Sequence, residues 1–341
     1  MKKKLAVLIV LSITIIIAMI VIADPRKFLS ILAKVDLSFI IGVVILYFIN
    51  IFTKALRWHL LVNSSGKPVP FSKNLSFLIV GLMVNNTTPG RIAGEPVRAH
   101  LLNSRANISI GQGVSTIFAE KIMDLIVLTS MALIGVLFIL PLVSSSNIKL
   151  LLLPFLIVIF AIAILLYIAT HSTLLDRITK LLVKIINKIS RGKWSTKLER
   201  SSISFTKSFK NGFKEISRTR KTAAVCVILT LLIWLNEAYR IYLILLALPG
   251  VTVPSFGSVL IASSAATVFG IGLPVGALNA ALITMVFTAV GVEVASATTA
   301  GILAIMTSIW LSVPCGIIAM FFIGLKIDKL IRNSKQNHRR S

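Results

Sequence analysis

Long apolar runs without charge constrain this chain more than any other feature of its sequence. Residues 5–23 and 37–53 contain no charged side chain, and each approaches the roughly 20 residues with which a helix crosses about 30 Å of hydrocarbon. Charged residues make up only 14% of the chain, against about 25% in soluble domains. The sequence therefore predicts an all-α, polytopic membrane protein with about 7–9 apolar segments. The further apolar windows are 75–84, 114–140, 148–170, 223–248, 256–271, 275–292 and 298–325.

The basic residues predict the orientation of these segments. Segment 171–222 holds 14 Lys or Arg residues against three acidic residues, and the N-terminus, the C-terminus and the segment after the second window (Lys54, Arg57, Lys67 and Lys73) are also basic. Because positively charged segments stay on the cytoplasmic side, we expect all four in the cytoplasm, with the protein in the plasma membrane. The loop 24–36 then lies outside.

The N-terminal window is interpreted as an uncleaved span, because it is longer than the 7–15 apolar residues of a signal peptide; cleavage near Ala23 is the alternative. We expect one transmembrane domain, 1–325, followed by a basic cytoplasmic tail, 326–341. Within residues 174–190 the apolar residues recur at helical spacing on one face, and the basic residues fall on another. This pattern is typical of helices that lie on anionic membranes. Orientation alone explains the same charge equally well, and no basic motif interleaved with aromatic residues indicates nucleic-acid binding.

Two windows are interrupted by residues that break helices. Window 75–84 is too short to cross a membrane and runs into Pro89 and Gly90, whereas the region 256–292 is interrupted at Gly272, Pro274 and Gly276. Broken backbone at membrane depth must be buried in protein or line a wet cavity. The sequence predicts two broken or re-entrant hairpins that enter from opposite faces, as in inverted-repeat transporters. Region 256–292 could be a hairpin or two crossings.

The first break carries charges that suit an anion. Gly94 and Pro96 predict a new helix start, whose free N–H groups and flanking Arg91 and Arg98 favour phosphate. Glu95 could pair with either arginine, and the simpler interpretation is that all three charges neutralise one another in a cytoplasmic loop. The polar residues predicted to complete this phosphate-binding site are Asn86 and Thr88.

Further charges lie inside later windows. Glu120 and Asp124 are i,i+4 neighbours that need a cation, for which Arg91 or Arg98 is the expected partner. Glu237 and Arg240 either form a self-contained ion pair or line the path of a substrate head group. We expect these four residues to orient the site or couple it to transport. His59, His100 and His171 are unclustered, so no metal site is predicted, and no cofactor motif is recognised.

Two strings, Pro89-Gly90-Arg91 through Glu95 to Arg98 and then Glu120-Lys121 through Asp124, resemble those of the lysylphosphatidylglycerol synthase transmembrane-domain family, the flippase-like domain proteins. The resemblance in motifs covers about 40 residues, whereas length and hydropathy agree over the whole chain. Family members also have an acidic residue where this chain has Asn279. The bifunctional members continue into a soluble aminoacyl-transfer domain; because this chain ends at Ser341, we expect none here.

The resemblance implies a transporter that moves a phospholipid or a polyprenyl-phosphate-linked lipid between leaflets. In this hypothesis Arg91 and Arg98 bind the phosphate of an anionic lipid or lipid-linked phosphate. One alternative is a membrane-embedded enzyme acting on a polyprenyl phosphate, although no catalytic motif is recognised. Another is a non-catalytic partner of a glycosyltransferase or lipid synthase.

Overall fold

The computed structural model describes residues 2–65, 68–88, 91–139, 195–252, 254–270 and 276–324, with a few single positions between 160 and 181. Regular structure in these ranges is helical throughout, which confirms the predicted all-α class. Several predicted features lie wholly or almost wholly outside the described residues. These are Pro89, Gly90, Gly272, Pro274, the window 148–170, the amphipathic segment 174–190 and the tail 326–341.

Most helices coincide with an apolar window and several extend beyond it, whereas Pro25–Ala33, Gly94–Ala106 and Ser195–Arg218 lie outside the windows. A π-helical turn, Met306–Trp310, joins the last two helices. In chain order the helices are α1 (Lys2–Ile22), α2 (Pro25–Ala33), α3 (Leu37–Ser64), α4 (Phe71–Thr87), α5 (Gly94–Ala106), α6 (Ile110–Ile139), α7 (Ser195–Arg218), α8 (Arg220–Ala247), α9 (Phe256–Phe269), α10 (Ala277–Ala289), α11 (Val294–Ile305) and α12 (Ser312–Phe322).

Within the described ranges, four helical units are long and apolar enough to cross a membrane: α3, α6, α8 and the unit from α11 through α12. Helices α1 and α2 meet at 90° and add a fifth if the bent pair is one span. Helices α9 and α10 are apolar but shorter. The predicted 7–9 segments therefore stay a prediction, because the window 148–170 falls in the part not described.

Residues 24–36, predicted to be a loop, instead contain helix α2. The Asp24 carboxylate accepts a hydrogen bond from the Arg26 N–H, and Pro25 occupies the first turn, where its missing N–H has no consequence. Asp36 then caps α3, accepting hydrogen bonds from the backbone and hydroxyl of Ser38, and these bonds lower the pKa of the Asp36 carboxyl. Local capping explains both the extra helix and the sharp connection.

Helix α3 continues to Ser64, so Lys54 and Arg57 lie inside a helix that packs against α8. Their predicted cytoplasmic location stays a prediction, but the helix does not end where the apolar window does. A charge inside a helix is tolerated when a counter-charge in the protein neutralises it. Arg57 is 1% exposed and meets two carboxylates of α6, which is why the helix continues through it.

Both predicted breaks are present, and each separates two short helices that pack against each other. The first break lies between α4 and α5, where Gly94 approaches the backbone carbonyl of Gly81 so closely that a Cβ would not fit. Pro96 lies in the first turn of α5, as predicted. The second break ends at Gly276, whose φ of +84° favours glycine. We call the packed pair α4–α5 the first hairpin and the packed pair α9–α10 the second; how each pair enters the membrane stays a prediction. These two pairs position the polar site described next.

Candidate functional site

A buried ion network links α3, α5 and α6. Arg57 contacts Glu120 at 2.9 Å and Asp124 at 2.6 Å, while Arg98 contacts Glu120 at 2.6 Å and Glu95 at 3.0 Å. Lys121 closes the network on Glu95 at 3.0 Å. We call these six residues the ion network: Arg57, Glu95, Arg98, Glu120, Lys121 and Asp124.

The ion network is neutral, because three cationic side chains meet three carboxylates. The Arg98 side chain is 3% exposed and its guanidinium lies 4.1 Å from the centre of the Trp58 ring. An arginine that is paired twice and stacked has little capacity left for a ligand. The network therefore has the properties of a structural clamp that fixes the first hairpin to α3 and α6.

Part of the predicted pairing is present. Arg98 pairs with Glu120 and Glu95 as expected, whereas Asp124 pairs with Arg57 rather than with Arg91 or Arg98. The expectation for Asp124 is wrong because Arg57, which was placed in the basic segment after the second window, faces it from the neighbouring helix. The two carboxylates one turn apart on α6 share this cation, which offsets their mutual repulsion.

Arg91 lies apart from the ion network and joins the two breaks. Its guanidinium donates to the side-chain oxygen of Asn86 at 3.0 Å and to that of Asn279 at 3.3 Å. Asn86 belongs to the first hairpin, and Asn279 to the second. No carboxylate forms a salt bridge with Arg91 among the described residues. Arg91 has a φ of +47°, a left-handed conformation that is unfavourable for a side chain of this size.

Asn86, Arg91 and Asn279 border a cavity of about 110 Å³. The cavity lies among the two hairpins, helix α3 and helix α8. Such a space holds several water molecules, since one needs about 10–15 Å³. We call it the central cavity. Its polar and charged lining consists of Tyr47, Lys54, Asn86, Arg91, Trp234, Glu237, Arg240, Ser263, Thr267, Asn279 and Ser308.

The charges of the central cavity do not balance. Among the described residues that line it, Lys54, Arg91 and Arg240 oppose one carboxylate, Glu237, which gives a formal excess of two positive charges. Glu237 pairs with Arg240 at 3.2 Å, one helical turn away. Lys54 has no salt-bridge partner in the described ranges, and its ammonium lies 5.4 Å from the centre of the Trp234 ring.

Arg240 is held firmly in the cavity wall. Its guanidinium donates to the backbone carbonyls of Val43 at 3.2 Å and Thr307 at 2.8 Å, and it lies 5.1 Å from the centre of the Tyr47 ring. The Thr307 carbonyl belongs to the π-helical turn, where the altered hydrogen-bond pattern leaves carbonyls free to accept. Glu237 and Arg240 therefore form the ion pair that was one interpretation of the sequence. Both residues also line the cavity, as the other interpretation required.

Two buried hydroxyls of the lining lack a protein partner. Tyr47 is 7% exposed and Ser263 is 1% exposed, and neither the Tyr47 hydroxyl nor the Ser263 hydroxyl makes a hydrogen bond with the described residues. A buried polar atom without a partner costs about 1–3 kcal/mol. Their position on the central cavity indicates that water or a ligand supplies the missing partner.

Thr88, predicted to bind phosphate, does not line the central cavity. Its hydroxyl donates to the Val84 carbonyl at 2.6 Å, at the end of α4. Asn86, by contrast, lines the cavity and also donates to Ser312 of α12 at 2.8 Å. Asn86 therefore orients Arg91. Thr88 instead donates its hydroxyl hydrogen to a backbone carbonyl in the last turn of α4, which has no N–H partner within the helix.

Trp234 separates the ion network from the central cavity. Its indole N–H donates to Asp124 at 2.9 Å, while its ring lines the cavity beneath Lys54. Lys54, Arg57 and Trp234 are site residues that were not predicted from the sequence. The signal for the first two was available, because apolar residues continue past them to Val62.

Comparisons with known proteins agree on one family. The family model described as the lysylphosphatidylglycerol synthase TM region matches residues 9–316. A UPF0104 membrane protein of Methanothermobacter thermautotrophicus is 29% identical over 72% of this chain and 74% of its own. Another from Pyrococcus horikoshii is 25% identical over 98% of this chain and 100% of its own.

A partial similarity concerns a named enzyme. Glycosyltransferase AglD of Haloferax volcanii is 23% identical over 32% of this chain, which corresponds to 17% of AglD. No solved structure matches the chain.

Proposed function

Because the chain belongs to the lysylphosphatidylglycerol synthase transmembrane-region family of membrane proteins, we propose that it translocates an anionic lipid between the leaflets of its membrane. The observation that carries this proposal is the unbalanced positive charge of the central cavity, placed where two broken hairpins meet. A net charge within hydrocarbon is unfavourable. A negatively charged head group that enters the cavity offsets it.

In this proposal Arg91 is the main ligand of the head group. Its partners are two neutral amides, so an anion gains a charge-assisted hydrogen bond without first breaking an ion pair. Lys54 contributes its ammonium from α3. Arg240 of α8, whose hydrogen bonds are made within the protein, contributes only its positive charge.

The ion network has a different role in the same mechanism. It holds the first hairpin against α3 and α6, so that Arg91 keeps its position relative to Asn279. Arg98 is assigned to this positioning role and not to phosphate binding. Glu95, Glu120 and Asp124 likewise orient the site by neutralising the arginines and Lys121.

The test is lipid translocation in reconstituted vesicles. Purified protein is placed in vesicles containing a trace of fluorescent anionic lipid, and movement between leaflets is followed by quenching from outside. Arg91→Gln removes the cavity charge but keeps hydrogen-bonding capacity, and should slow translocation at least about tenfold, as expected for losing a hydrogen bond to a charged group.

Arg218→Gln is the matched control, because the Arg218 side chain is 71% exposed and lies at the end of α7. It should translocate lipid at the rate of the unchanged protein. Equal rates for all three proteins would refute the proposal, provided that each remains folded by size-exclusion chromatography.

The similarity to part of AglD favours a second candidate function, association with a glycosyltransferase. In that case the protein positions a lipid-linked substrate for its partner. Co-purification with a glycosyltransferase that survives Arg91→Gln, together with unchanged translocation, would favour this candidate over the transporter.

A further inference from the structure

The central cavity contains more positive charge than one negative charge can offset. Three cationic side chains and one carboxylate line it, and the carboxylate is already engaged with Arg240. The neighbouring ion network, in contrast, is neutral, because its three carboxylates pair with its own three cations. An occupant with two negative charges balances this lining, whereas an occupant with one leaves a buried positive charge.

The free hydrogen-bonding groups of the cavity are mainly donors. Among the described residues, the Lys54 ammonium has no salt-bridge partner, and the hydrogen bonds of the Arg91 guanidinium go to neutral amides. The hydroxyls of Tyr47 and Ser263 have no partner there and are available to donate. A ligand that suits these donors is rich in acceptor oxygens. A phosphate monoester presents three such oxygens, while a phosphate diester has two that are not bridging.

The size of the cavity suits a phosphate group. Its volume of about 110 Å³ is several times the space that one water molecule needs, so a terminal phosphate fits with water around it.

We propose that the central cavity selects a lipid whose head group is a terminal phosphate monoester over lipids whose phosphate is a diester. The inference rests on the proposed function, because it names the substrate class of the same site. The phosphate carries a charge of about −1.5 to −2 near pH 7, which matches the excess of two positive charges in the lining.

The experiment measures binding by calorimetry, separately from transport. The probes are short-chain phosphatidic acid, a monoester; short-chain phosphatidylglycerol, a diester; and inorganic phosphate. At pH 8, phosphatidic acid should bind at least about tenfold tighter than phosphatidylglycerol, a difference of about 1.4 kcal/mol. This preference should shrink at pH 5, where the monoester carries one charge.

Two variants test the site. Arg91→Gln should reduce the preference for the monoester, and the exposed control Arg218→Gln should keep it. Equal affinity of both lipids for the unchanged protein would overturn the proposal. Inorganic phosphate that binds as tightly as phosphatidic acid would assign the cavity to free phosphate and overturn the lipid part.

Vesicle translocation separates this inference from the proposed function. If labelled phosphatidylglycerol and phosphatidic acid cross at equal rates, the substrate class is wrong while the transporter stands. If phosphatidic acid binds selectively but neither lipid crosses, the transporter is wrong while the binding preference stands.

Discussion

Removing Arg57 should destabilise the protein far more than removing Arg91, although both are arginines in the membrane domain. Arg57 forms ion pairs of 2.9 Å with Glu120 and 2.6 Å with Asp124, and it also donates to Thr230 at 2.9 Å. In Arg57→Gln, Asp124 loses its only salt-bridge partner among the described residues. Removal of one member of a buried pair costs about 3–5 kcal/mol.

Arg91 has no such partner, so Arg91→Gln loses hydrogen bonds to two amides and relieves an unbalanced charge. Thermal unfolding in detergent measures the difference. With about 2–4 °C per kcal/mol in mid-sized chains, the midpoint of Arg57→Gln should fall by about 6–20 °C, while that of Arg91→Gln changes by a few degrees at most.

A charge-balanced double variant sharpens the test. Arg57→Gln with Asp124→Asn leaves two cations and two carboxylates in the ion network, and replacing a buried pair is often tolerated. The double variant should regain part of the stability lost by Arg57→Gln. Equal midpoints for Arg57→Gln and Arg91→Gln, or a double variant less stable than the single one, would refute the distinction between network and cavity.

Three further substitutions have defined outcomes. Glu237→Gln removes the single carboxylate of the cavity lining and should tighten phosphate binding about tenfold by calorimetry; weaker binding would contradict the charge argument. Trp234→Phe keeps an aromatic ring under Lys54 but loses the 2.9 Å hydrogen bond to Asp124, so the free energy of unfolding should fall by about 1.5–3 kcal/mol. An unchanged free energy of unfolding would mean that this hydrogen bond is absent. Gly94→Ala places a methyl group against the Gly81 carbonyl, and thermal unfolding should show a loss of about 1–3 kcal/mol, whereas unchanged stability would mean that the two helices are not in contact.

The helical class and the two breaks were predictable because they depend on local chemistry. A long apolar run has few alternatives to a helix in lipid, and proline and glycine interrupt helices wherever they occur. The pairing of Arg98 with Glu120 was also accessible, since a buried carboxylate needs a cation and few candidates lie in the membrane segments. The predicted orientation and the plasma-membrane location stay predictions.

The division between a neutral network and a charged cavity was not predictable from segments read one at a time. Charges at Lys54 and Arg57 end an apolar window by composition, yet the partners of Arg57 lie on α6, far along the chain. Only packing shows that Arg98 is already neutralised while Arg91 is not. The sequence alone therefore does not separate Arg98, which is paired with carboxylates, from Arg91, which contacts two amides.

The most direct test of a hydrated, positively charged cavity is thiol labelling at its wall. Ser308 lines the central cavity, and Thr252 lies exposed in the uncharged loop before α9. Each is changed to Cys in a protein whose Cys226 and Cys315 have been replaced by Ser, and the rates of modification by small anionic and cationic thiol reagents are compared.

At Ser308→Cys the anionic reagent should react faster than the cationic one by about tenfold or more, and Arg91→Gln should reduce this ratio. At Thr252→Cys the two reagents should differ little. A Ser308→Cys thiol that neither reagent reaches, or that both modify at the same rate, would contradict the account.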